Sequence, residues 1–115
     1  MAYLACLSSA ADVETLLLLR RSPDTFWTPT AVASAVACTT DVAAACLRAL
    51  GLARLVVPAS STADAYRYSP PPDAVSQIEA LAAAYRLRPN LVVQAVQCEG
   101  ELRARAFAEA FRFAR

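Results

Sequence analysis

Residues 28–51 read TPTAVASAVACTTDVAAACLRALG and contain two helices, each announced by its own start signal. Thr28 stands before Pro29. A hydroxyl at that place caps free backbone N–H groups, and proline at the first helical position gives up only a donor that has no intrahelical partner anyway. The pair predicts a short helix over Pro29–Val36. After Ala37 and Cys38, Thr39 and Thr40 offer a second cap. The helix that follows shows Val42, Cys46 and Leu50 at i, i+4 and i+8, the repeat of one buried face. Gly51 is then expected to end it in the left-handed conformation. Two short helices joined by a three-residue turn form a helix-turn-helix candidate.

The flanks extend this unit in both directions. Upstream, Ser9 and Asp12 have capping-box spacing and predict a helix over Ala10–Arg21, stopped by the turn sequence Ser22, Pro23, Asp24. Leu16 to Leu19 in its middle imply burial on most sides, and Phe26 with Trp27 leaves room for only a brief strand. Downstream, the Leu- and Val-rich run Leu52–Pro58 and the run Ala65–Ser69, where Tyr66 and Tyr68 alternate, bracket a polar loop. That pattern is a β-hairpin.

Helix, short strand, helix, turn, helix, hairpin is the order of the winged helix-turn-helix fold, and the chain resembles that family over about residues 12–69. The residues that carry the resemblance to small bacterial winged-helix proteins are Trp27, Thr28, Pro29, Val42, Leu47, Leu50, Gly51 and Leu52, closed by Tyr66, Arg67 and Tyr68. The resemblance implies that Thr40–Leu50 is a recognition helix and Ala59–Ala65 the tip of a wing. It also implies a dimeric DNA-binding regulator of transcription. Thr39, Thr40 and Arg48 would then enter the major groove of duplex DNA, and Arg54 and Arg67, both expected on the strands, would hold phosphates.

Charge argues the other side. With Val42, Cys46 and Leu50 inward, the outward residues are Thr40, Asp41, Ala44, Ala45 and Arg48, of which only Arg48 can fork onto a guanine edge. The loop between the strands holds no basic residue, and five arginines face five acids between Asp12 and Ser69. Duplex binders draw much of their affinity from neutralised phosphates. The second reading is therefore a protein–protein interaction module without DNA binding, its alanine-lined helix suited to close packing.

Beyond Ser69, Pro70, Pro71 and Pro72 form a stiff connector. A helix is expected from Asp73 to about Leu87 with Ile78, Leu81, Ala82 and Tyr85 on one face, broken by Pro89. Asn90 is expected to cap the next, which packs through Leu91, Val92, Ala95 and Val96, and Gly100 predicts a kink or break. From Leu102 a helical wheel gathers Leu102, Ala106, Phe107, Ala110, Phe111 and Phe113 on one broad arc. That arc exceeds what one core needs and predicts a second apolar surface. The choices are packing on its own domain, a homodimer, or the membrane surface. For the last, residues 86–115 hold six Arg against three Glu. The organisation expected is a winged-helix domain over residues 1–69 and a helical extension over 70–115, within one folding unit that is mainly α with a small β-hairpin.

Composition narrows the chemistry. At 115 residues, 57% hydrophobic and 18% charged, the chain is one ordinary domain with ample core material. All 11 basic residues are Arg, and the net charge of +1 gives no general pull toward nucleic acid or anionic membranes. Cys6, Cys38, Cys46 and Cys98 include no C-x-x-C pair, and there is no histidine. They read as reduced, buried small hydrophobes in a cytoplasmic protein, with no metal site. Without His, without a phosphate-binding glycine loop and with only Gly51 and Gly100, no enzyme, cofactor or catalytic residue is expected. Leu4, Ala5, Cys6 resembles the end of a lipoprotein signal but lacks a basic leader, and no apolar run approaches a bilayer span, so no integral membrane contact is expected.

Overall fold

In the computed structural model, which describes residues 6–59, 65–97 and 105–106, Thr28 and Thr39 both stand in extended backbone at helix starts. The Thr28 hydroxyl accepts from the Ala31 N–H at 3.1 Å and opens α2 (Pro29–Val36). The Thr39 hydroxyl accepts from the Val42 N–H at 3.1 Å and opens α3 (Thr40–Leu52). Between them Ala37, at φ 57°, reverses the chain in left-handed backbone, and the Cys38 N–H donates to the Ala33 carbonyl at 3.1 Å. The bend from α2 to α3 is 110°. Ahead of both lies α1 (Ala10–Arg21), which buries Val13, Leu16 and Leu19 and ends in a turn where the Ser22 N–H donates to the Leu19 carbonyl.

Gly51 is not the left-handed stop expected of it. α3 runs through it to Leu52, and Arg54, at φ 65°, takes the left-handed position. The Leu55 N–H donates to the Leu50 carbonyl and the Arg54 N–H to that of Gly51, each at 3.0 Å, the paired bonds of a Schellman motif. Leu50 and Leu55, the apolar pair that goes with such an ending, are both buried. A Cβ there would lie 3.4 Å from Tyr66 Cε1, an ordinary contact, so neither the backbone nor a close approach demands glycine. The inward face of α3 also differs from expectation. Ala43, Cys46, Leu47 and Leu50 are buried, whereas Val42 is 41% exposed. A spacing of four drifts by about 40° per step on a helix of 3.6 residues per turn, so three such residues cannot all be central to one face.

The helix ending consumes Leu52 to Leu55, which leaves β1 (Val56–Pro58) shorter than the sequence suggests. It pairs antiparallel with β2 (Tyr66–Tyr68), with Val56 opposite Tyr68, Val57 opposite Arg67 and Pro58 opposite Tyr66. Trp27 adds a one-residue bridge on the other side of β2. Its N–H donates to the Tyr66 carbonyl at 2.7 Å and its carbonyl accepts from Tyr66 at 2.9 Å. These elements belong to a compact unit, Ala11–Pro71.

A second unit joins the described residues before Ala11 to those from Pro72 onward. In α4 (Pro72–Leu87) the buried residues are Ala74, Ile78, Leu81 and Ala84, while Ala82 and Tyr85, expected on the inward face, are only half-buried. Ile78 and Leu81 are inward as expected, and the last inward position of the helix falls on Ala84 rather than Tyr85. Asn90 does not cap the next helix, because α5 (Pro89–Gln97) begins at Pro89 itself. Proline is as good a first residue as it is a poor interior one. The Arg88 N–H closes α4 on the Ala84 carbonyl at 2.7 Å, and the Arg88 carbonyl accepts the first bond of α5 from Val92 at 3.2 Å. Val92, Ala95 and Val96 are buried. The expectation for Gly100 lies outside the described residues.

Candidate nucleic-acid interface

α3 presents a sparse outer face. Asp41, Val42, Ala45, Arg48 and Leu52 are exposed along it, Leu52 by 83%. Of the residues predicted to touch DNA, Thr39 is occupied as the cap, its oxygen bonded to the helix and its proton still free to donate. Thr40 is exposed in the first turn, where Asp41 is favoured by the positive helix end. Arg48 is exposed more than two turns further on. Arg54, expected on a strand, lies instead in the left-handed position after α3. At a rise of 1.5 Å per residue, the threonines and Arg54 stand roughly 20 Å apart along the helix axis, so they do not form one cluster.

Arg67 is on β2 as expected, but it is not a free surface charge. Its guanidinium carbon lies 5.5 Å from the centre of the Phe26 ring, within cation–π range. The Nε atom is buried without a hydrogen-bond partner among the described residues. Phe26, itself 47% exposed, is the residue the sequence reading missed. The register that places it opposite Arg67 depends on the Trp27–Tyr66 bridge, a pairing between strands far apart in the chain.

Asp12 is only 7% exposed and contacts the buried Cys46. Among the described residues of this unit, Glu14, Asp24 and Asp41 are the carboxylates that reach the surface. Burial drives the Cys46 thiol from the ordinary 9.0 up to about 12, reinforced by its hydrogen bond to Asp12 and by that residue's charge. The buried Thr15 hydroxyl beside it pulls the other way, although it reaches full hydrogen-bond geometry with no described residue. Cys6 and Cys38 are half-buried. Among the described residues no three His, Cys, Asp or Glu side chains gather to hold a metal ion, and no single helix is long and apolar enough to cross a membrane.

Of the predicted dimer contacts, Ala106 is helical and half-buried next to the exposed Arg105. Leu102, Phe107, Ala110, Phe111 and Phe113 lie outside the described residues. Comparison of the chain with family models, curated proteins and solved structures finds no significant match.

Proposed function

We propose that Ala11–Pro71 is a winged helix-turn-helix module that binds duplex DNA through α3, in a cytoplasmic, non-enzymatic regulator of transcription that dimerises through its C-terminal tail. The observation that carries this reading is the 110° bend between α2 and α3 across a three-residue turn, inside the range of helix-turn-helix units, with Arg48 exposed on the second helix. The order of elements supports it: the Trp27 bridge precedes the helix pair and the hairpin follows it.

Mobility shifts of the full chain on random duplex across a salt series test the reading. Each basic contact contributes about 0.9 to the slope of log affinity against log salt, so few contacts give a shallow slope. Arg48→Ala is expected to weaken binding and reduce that slope. No shift even at about 50 mM salt, where phosphate contacts are strongest, overturns the reading.

A second reading is favoured by one observation, the exposure of Leu52 and Val42 on the same helix. Large apolar side chains add nothing to phosphate binding and suit a protein partner. A chain blind to duplex at every salt concentration is what this reading expects.

A further inference from the structure

We infer that Phe26 is a positioning residue for duplex binding: its ring holds the Arg67 guanidinium against the outer face of the hairpin, edge outward, where it meets a DNA phosphate. The inference rests on the DNA-binding reading and adds a residue and a mechanism to it.

The two hydrogen bonds between Trp27 and Tyr66, at 2.7 and 2.9 Å, fix the register of these segments. In antiparallel pairing the residues flanking a bonded pair face each other, and neighbours along a strand point to opposite sides. Phe26 and Arg67 are therefore opposite each other on the face turned away from Trp27 and Tyr66. The distance of 5.5 Å from guanidinium carbon to ring centre agrees with that placement.

The chemistry then assigns the pair a use. Phe26 leaves nearly half its surface in water, 47%, where burial would be favourable. What that half-exposed ring meets is the Arg67 cation. Arg67 is half-buried, its Nε is enclosed without a partner, and among the described residues no carboxylate pairs with it. A planar guanidinium lying on a ring keeps its two terminal nitrogens at the edge, and that fork matches the oxygens of a phosphate. A guanidinium already held against a ring has part of its rotamer freedom restricted, so a further contact forms at lower entropic cost.

The test is duplex binding by fluorescence anisotropy across a salt series, with the full chain and the variants Phe26→Ala, Phe26→Leu, Phe26→Tyr, Arg67→Ala, Arg48→Ala and Phe26→Ala/Arg67→Ala. Circular dichroism melts select variants that remain folded, and leucine keeps apolar bulk without a π face should alanine disturb the fold. Arg67→Ala is expected to lower the salt slope by about one contact. Phe26→Ala and Phe26→Leu are expected to weaken binding about two- to fivefold, the range of an exposed cation–π contact, and to flatten the slope. Phe26→Tyr is expected to bind as the parent does. In the Arg67→Ala background, loss of Phe26 is expected to change nothing further. Equal weakening by Phe26→Ala in both backgrounds, or none in either while Arg48→Ala still weakens binding, overturns the inference and leaves DNA binding standing. A parent chain that binds no duplex at any salt overturns both.

Discussion

A methyl group added at Gly51 would meet Tyr66 Cε1 at 3.4 Å, an ordinary contact distance, and the backbone there is helical. Gly51→Ala is therefore expected to raise stability by about 0.5–1 kcal/mol, read as a higher melting temperature. Were Gly51 left-handed, as its place near the helix end suggests, the same change would destabilise. At Ala37 the logic inverts. A non-glycine residue at φ 57° bears a left-handed penalty of about 1–2 kcal/mol, part of which glycine's extra unfolded-state freedom returns, so Ala37→Gly is expected to gain roughly 1 kcal/mol or less. A lower melting temperature for either variant would contradict its assigned backbone. Cys46 makes a prediction about pH. Its thiol, held near 12 in the native state, keeps a proton that the unfolded chain gives up from about pH 9. Below pH 9 both states carry it and stability is unaffected; between pH 9 and 12 the unfolded state alone ionises, so stability falls as pH rises. Denaturant titrations of the parent and Cys46→Ala should converge across that window, and a constant difference between them would refute the assignment.

Thr28 and Thr39 each satisfy a backbone donor that the helix cannot, so replacing either with alanine should cost about 1 kcal/mol, measured by chemical denaturation. Losses below a few tenths would mean that water serves these helix ends equally well. These two threonines also explain why α2 and the start of α3 are legible in the sequence: a cap is a local device, complete within four residues. Endings are less legible. Gly51 and Arg54 exchange roles because the Schellman reversal is placed by the burial of Leu55, a tertiary demand. Pro89 carries both a stop and a start signal, and only the bonds shared at Arg88 decide that it begins α5. The candidate site divides the same way. Arg48 follows from helical phase near the well-marked cap, whereas Phe26 under Arg67 follows from strand register between segments forty residues apart, which no local pattern encodes.

For the whole chain, the proposed assembly is a homodimer through the tail, a proposal that rests on the apolar residues of the sequence between Leu102 and Phe113. Static light scattering of the full chain against one ending at Gln97 should show the mass fall from dimer to monomer, and an unchanged mass would exclude tail-driven dimerisation. Two modules in one dimer would double the number of basic contacts, which compensates in part for the few that each α3 carries. The bridge between Trp27 and Tyr66 has an optical consequence. Trp27 is the chain's single tryptophan, and its backbone is tied by both hydrogen bonds to the strand that closes the hairpin. Its indole Nε1 is enclosed in the native state, so loss of that junction is expected to expose it to water and shift its emission. The native protein thus contains its own fluorescent gauge of hairpin docking, readable during unfolding or on addition of DNA without any attached dye.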